Sequence, residues 1–202
     1  MTTRIFIILD KSGSMEDCKT ETIEGFNTFL KSQREIKNNQ AFISLFQFSD
    51  SYEKIYENIP VENAPELTDQ TFEPQGTTAL LDAIGRTINS TEVSPNESVI
   101  MVIITDGQEN ASDFYSREKI NALISNRKEK GWEFVFLGAN QDAIAEAGRL
   151  GIHADSSLTF STSETKVAFE SLGSAISRSR STPIKSISFT PQERTNSLCL
   201  EN

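Results

Sequence analysis

Residues 4–15 read Arg4-Ile5-Phe6-Ile7-Ile8-Leu9-Asp10-Lys11-Ser12-Gly13-Ser14-Met15. From Ile5 to Leu9 the run is continuously apolar. Continuous rather than alternating apolarity marks a strand covered on both faces, as in a parallel sheet. The run stops at an acid and a short polar loop. The same design recurs at Val99–Ile104, which ends in Thr105-Asp106-Gly107, and at Trp132–Leu137, which ends in Gly138. Phe42–Phe48 alternates instead, and Tyr52–Ile59 follows after only Ser49-Asp50-Ser51. So short a polar link predicts a hairpin, and with it one antiparallel strand near an edge.

Helical periodicity fills the intervals. Ile23, Phe26, Phe29 and Leu30 share one helical stripe, and Leu80, Leu81, Ile84 and Ile88 share another. Ile120, Leu123 and Ile124 form a third, with Ser116 as N-cap and Gly131 as the stop. Asn140 is placed to cap a short helix through Ala143, Ile144 and Ala147, ended by Gly151. Ala168, Leu172, Ala175 and Ile176 mark a last helix after Ser161-Thr162-Ser163. Strands alternating with helices imply right-handed crossovers and a mostly parallel sheet. Pro60–Gly76 has no period and holds three prolines, so it reads as a long loop, and such loops are often functional. The polar tail from Ser181 to Asn202 is expected to be extended or disordered, with 1–180 forming the domain.

The 202-residue chain is long enough for one large domain. Its net charge of −10 argues against nucleic-acid binding, which needs Lys and Arg to meet phosphates. The same charge argues against anionic lipid, and no apolar run reaches membrane-spanning length. The first 160 residues carry 25 acidic against 14 basic groups, so the acid excess lies where the acid-ended strands are. Two distant cysteines, Cys18 and Cys199, form neither a disulfide framework nor a zinc pattern. With no signal-peptide pattern at the start, the expected location is cytoplasmic.

Ligands of open α/β sheets sit beyond the carboxyl ends of the strands. At that edge the chain offers Asp10-Lys11-Ser12-Gly13-Ser14 and Asp106-Gly107-Gln108-Glu109-Asn110. A third segment, Gly76-Thr77-Thr78-Ala79-Leu80, enters a helix with hydroxyls at its start. Hard cations take oxygen ligands, six in near-octahedral array for Mg²⁺. Asp10, Ser12 and Ser14, at every second position, can turn three oxygens toward one point. Neutral hydroxyls leave the charge of an ion largely uncancelled, so it still seeks an anionic ligand.

These residues resemble the von Willebrand factor A domain, whose metal-ion-dependent adhesion site has the pattern Asp-x-Ser-x-Ser, then Thr, then Asp. Asp10, Ser12 and Ser14 match the first part, Thr78 the second and Asp106 the third. Thr77 stands where many members have a second Gly, which removes no ligand. The segments TALLDAIGRTI, VIITDGQENAS and WEFVFLGANQDAIAEA are similar to small stand-alone bacterial and phage members. The resemblance implies direct ligation by Ser12, Ser14 and at times Thr78, with Asp10 and Asp106 acting through water. The expected ion is Mg²⁺, with Mn²⁺ and Ca²⁺ as alternatives, and the expected partner is a protein that supplies an Asp or Glu carboxylate. The expected fold is α/β: a doubly wound, mostly parallel six-stranded sheet, one antiparallel edge strand, and helices on both faces.

Plainer readings stand beside this one. Asp10 could cap a turn and Ser14 a helix, which explains each residue singly but not their joint pattern. Glu109 reads as a solvated acid beside the site, and Asp82 as part of an exposed helix face. His153 is a surface or capping residue, Trp132 is core, and Cys18 is an inert thiol. Glu193 or Glu201 in the tail could reach the ion as an internal ligand. Asp10-Lys11-Ser12-Gly13-Ser14 also resembles the phosphorylation motif of haloacid-dehalogenase-like enzymes, with Asp10 as nucleophile, but the later Lys and paired acids of that scheme are missing. A third alternative is a structural subunit whose ion only staples the loops.

Overall fold

A computed structural model describes residues 2–37, 39–139, 142–181 and 186–198. Six strands form one sheet: β1 (Thr2–Asp10), β2 (Ala41–Phe48), β3 (Tyr52–Pro60), β4 (Glu97–Thr105), β5 (Trp132–Ala139) and β6 (Ser157–Phe160). Their order across the sheet is β3-β2-β1-β4-β5-β6. Only the β2–β3 pairing is antiparallel, and β3 is the edge strand, as the short Ser49–Ser51 link requires. The helices are α1 (Lys19–Arg34), α2 (Leu80–Ser90), α3 (Arg117–Glu129), α4 (Ala143–Arg149), α5 (Thr165–Ser181) and α6 (Pro191–Asn196).

β1 shows why the apolar runs are continuous. Alternate residues of a strand face opposite sides. Ile5, Ile7 and Leu9 join one core layer, with Phe26 and Phe29 of α1 and Leu172 and Ile176 of α5. Phe6 and Ile8 join the other, with Ile84 and Ile88 of α2, Ile120 of α3 and Trp132. α1 and α5 approach closely: a Cβ on Gly25 would lie 2.7 Å from the Phe169 ring.

The chain leaves β1 toward β2 on one side and returns through β3 and α2 to β4 on the other. The sheet therefore reverses its winding between β1 and β4, and a crevice opens at their carboxyl ends. Asp10 ends β1 and Asp106 follows β4, so both reach that crevice.

Two expectations need amendment here. Asn140 lies outside the described residues, and the N-cap of α4 is Asp142, whose side chain accepts from Ala145 N at 3.0 Å. In the segment read as an extended or disordered tail, Ile187 and Phe189 are buried and Pro191–Asn196 is helical. The helix forms because Thr190 and Glu193 make a capping box, with proline at its first position.

Candidate metal centre

Three loops are sewn together by backbone hydrogen bonds. Lys11 N donates to Phe48 O at 2.7 Å, carrying the β1–β2 ladder one residue past the strand. Gln75 N donates to Lys11 O at 2.7 Å and Gly13 N to Gly76 O at 3.0 Å, so the Gly76–Thr78 segment lies along the Ser12–Ser14 loop. Ala79 N donates to Ser49 O at 2.9 Å. Gly76 adopts φ +78°, a left-handed conformation that favours glycine, and a Cβ there would collide with the Asp50 carboxylate. Asn110 closes the third side: Thr78 N donates to its Oδ1 at 2.9 Å, and Asn110 N returns a bond to Thr78 O at 3.1 Å.

This stitching brings the five predicted oxygen donors to one place. Asp10 is fully buried; its Oδ1 accepts from Ser12 N at 2.7 Å and its Oδ2 accepts from the Thr105 hydroxyl. The Ser12 and Ser14 hydroxyl oxygens lie 3.2 Å apart. Ser14 Oγ donates to Asp106 Oδ1 at 2.7 Å. Gly107 shows how close Thr78 comes: a Cβ there would lie 2.9 Å from Thr78 Oγ1 and 3.6 Å from Ser14 Oγ. Ser12 and Thr78 are buried, Asp106 is half-buried and Ser14 is exposed, so the cluster opens to solvent on the Ser14 side.

Electrostatically the cluster is short of positive charge. Burial pushes the Asp10 carboxyl up to about 6, against the lowering effect of its Thr105 and Ser12 hydrogen bonds. Burial also raises Asp106, partly offset by the Ser14 hydroxyl, and the nearby Asp17 adds to the rise. Among the described residues, no Lys, Arg or His forms an ion pair with either carboxylate. Lys11, next in sequence to Asp10, turns away to Glu53 at 2.7 Å. Buried carboxylates are ordinarily paired or coordinate a metal.

The donor set fits a hard cation. It is all oxygen, and among the described residues no group of three or more His, Cys, Asp and Glu side chains gathers as a metal site. Neighbouring oxygens around an octahedral Mg²⁺ bound at ~2.1 Å stand ~3.0 Å apart. The Ser12–Ser14 separation of 3.2 Å is close to that edge. A serine hydroxyl can offer a lone pair to an ion while its hydrogen goes to a carboxylate, the relation already present between Ser14 and Asp106.

Sequence reasoning gave Thr105 no role and named Asn110 only as the end of the segment after the acid-ended strand. Thr105 donates to Asp10 and accepts from Gly107 N at 3.1 Å, holding the first acid and the last loop in one unit. Its signal was available: it follows Ile104, whose strand neighbour is Leu9, just as Asp10 does on β1. Three readings are corrected. Glu109 is a buttress rather than a solvated acid, accepting from Leu81 N, Ala111 N, Ser112 N and the Ser112 hydroxyl at 2.7–2.9 Å. Asp82 is buried, not exposed, and accepts from Asp113 N, Phe114 N and Tyr115 N. Glu193 is engaged by Arg178 and caps α6, so it is not an internal ligand; Glu201 and Cys199 lie outside the described residues. Cys18 is buried, and burial pushes its thiol up to about 11, which keeps it unreactive.

The family model for the von Willebrand factor type A domain matches residues 5–174. A search of curated protein sequences returns no match. Among solved structures, proximal thread matrix protein 1 from the mussel byssus, in a form described as having a zinc-occupied MIDAS motif, superposes with a TM-score of 0.66 at 13% identity, covering 87% of this chain and 46% of that one. The pilus adhesin SpaC from Lactobacillus rhamnosus GG gives 0.68 at 15% identity, covering 88% and 31%. The von Willebrand factor domain of a type V pilus tip protein from Porphyromonas gingivalis gives 0.60 at 10% identity, covering 90% and 97%. The chain spans less than half the length of the first solved structures it matches.

Proposed function

The chain belongs to the von Willebrand factor type A domain family, and from that premise we propose that it is a metal-dependent protein-binding module. A divalent cation, Mg²⁺ in the first instance, is held directly by the hydroxyls of Ser12, Ser14 and Thr78. Asp10 and Asp106 hold it through water and supply the compensating charge. An Asp or Glu of a partner protein completes the coordination shell. The observation that carries this reading is the buried Asp10 carboxylate, which meets hydroxyl and amide donors but, among the described residues, no cationic side chain. Few groups other than a cation would relieve its burial. The ion's direct neighbours being neutral, it keeps its attraction for an outside carboxylate.

Direct titration of the metal-free protein with Mg²⁺ and Mn²⁺, followed by capture of partners with wild type and Asp10→Ala in Mg²⁺ and in EDTA, tests the proposal. Partners lost in both the variant and the EDTA samples support it. Mg²⁺ binding unchanged by Asp10→Ala would remove its basis. If EDTA lowered the melting temperature but no interaction changed, the ion would be a loop staple instead. The phosphohydrolase alternative loses ground on geometry. A nucleophilic carboxylate must reach its phosphate, whereas Asp10 is fully buried with both oxygens engaged. Among the described residues, no helix is long and apolar enough to cross a membrane. The cytoplasmic placement belongs to the same proposal and is checked by cell fractionation.

A further inference from the structure

A cleft of about 250 Å³ adjoins the ion site. Gly107 is their common wall: it lines the cleft on one side and stands against Thr78 Oγ1 and Ser14 Oγ on the other. The opposite wall comes from Arg117 at the start of α3 and from Glu146 and Arg149 of α4. Glu146 is nearly buried, with 12% of its side chain exposed, and it holds both guanidinium groups. Arg117 Nε donates to Oε1 at 3.0 Å and an Arg149 terminal nitrogen donates to Oε2 at 2.9 Å.

Arginine has five N–H donors in a fixed plane. Among the described residues, the two terminal nitrogens of Arg117 and the remaining nitrogens of Arg149 donate no hydrogen bond to the protein. Both side chains are open to solvent, at 41% and 65% exposure. The acids of the same cleft are in the reverse condition. Glu109 accepts four hydrogen bonds, Glu146 carries both arginines, and Asp142 caps α4. The three acids exceed the two arginines by one formal charge, but the arginine terminal nitrogens are unused donors, while the free acceptor capacity of the acids is concentrated on Asp142, whose Oδ1 caps α4. Two guanidinium planes pinned by one buried carboxylate match a ligand with paired acceptor oxygens, which is to say another carboxylate.

We propose that this cleft binds a second acidic side chain of the partner segment whose first carboxylate completes the ion's shell. The preferred ligand is then a diacidic peptide rather than a lone Asp or Glu. This inference rests on the ion-binding reading above.

The test uses a panel of synthetic fluorescent peptides. Each carries one central Glu and a second Glu one to four residues away, and each is matched by a control with Gln at the second position. Binding is read by polarisation with Mg²⁺ and with EDTA, on wild type, Asp10→Asn and the double variant Arg117→Gln/Arg149→Gln. Wild type with Mg²⁺ is expected to hold the best diacidic peptide about tenfold more tightly than its Gln control, as for a charge-assisted pair at a partly exposed site. The double variant is expected to shrink that preference to about twofold while keeping metal-dependent binding of the single-acid control. An undiminished preference in the double variant, or none in wild type, would overturn the cleft assignment and leave the ion site standing. If no peptide bound in a Mg²⁺-dependent way, the ion reading itself would fall and the cleft proposal with it. Melting temperatures of the variants within a few degrees of wild type show that the readout is not unfolding.

Discussion

Asp10 and Asp82 are both buried carboxylates, at 0% and 6% exposure, on either side of the Thr78 loop, yet the protein treats them oppositely. Asp82 accepts from three consecutive backbone amides, Asp113 to Tyr115, while its own amide donates to the Ser112 hydroxyl. Glu109, in the same loop, is saturated by four donors. These acids clamp the segment after β4 onto α2. Asp10 meets one amide, that of Ser12, and the hydroxyls of Thr105 and Ser12, Asp106 meets the Ser14 hydroxyl, and among the described residues neither forms an ion pair. An acid satisfied by the protein is part of its framework. An acid that is buried and under-satisfied is held ready for something from outside, here a cation.

The contrast can be broken most sharply at Asp82. Asp82→Ala removes the acceptor of three part-buried amides, and at about 1 kcal/mol net for each hydrogen bond a loss of about 3 kcal/mol in urea unfolding is expected. Mg²⁺ affinity of the folded fraction should stay within about threefold of wild type. A loss of metal binding as large as that from an Asp10 change would erase the distinction. Asp10→Asn should show the mirror image. Mg²⁺ affinity, read by calorimetry, is expected to fall about 100-fold, or about 2.7 kcal/mol. Metal-free stability should hold or rise, because asparagine can accept from Ser12 N without carrying a buried charge.

Proton titration sharpens the comparison next. Burial raises the folded-state pKa of Asp10 to about 6, above its ordinary value of 3.8. The folded state therefore binds this proton more tightly than the unfolded state. In EDTA, stability is greatest below pH 4 as far as Asp10 is concerned, and it declines as pH rises to about 6. A decline of about 3 kcal/mol is expected, in wild type but not in Asp10→Asn. With Mg²⁺ the dependence reverses, because proton and cation compete, and metal affinity should weaken as pH falls below 6. An identical profile in the variant would show that Asp10 is not the titrating group. The smallest effect is at Gly76. Gly76→Ala places a side chain at φ +78° against Asp50 and should cost about 1–2 kcal/mol in thermal melts. Its effect on Mg²⁺ affinity should be a few-fold, since Gly76 O only receives Gly13 N.

Periodicity and strand-end chemistry carried much of the reading because both are local. Three continuous apolar runs and the two runs flanking Ser49–Ser51 became strands, and that three-residue link dictated the antiparallel edge. The sixth strand, Ser157–Phe160, escaped because four residues are too few for a period to show. The α4 cap was assigned to Asn140, though Asp142, two residues on, makes the capping bond. The capped helix of the tail rests on a side-chain pair, Thr190 and Glu193, rather than on an apolar stripe.

By itself, then, the sequence determined the α/β class, the edge at which ligands sit, and the five residues proposed to hold the ion, because hydropathy period and strand-end residues are written along the chain. Tertiary structure alone decided which acids are framework and which are left under-satisfied. In one dimension Asp82 and Glu109 read as solvated acids. Their roles depend on how many amides the folded loops aim at them, and that count exists only after the Gly76, Asn110 and Thr105 contacts have drawn three distant loops together.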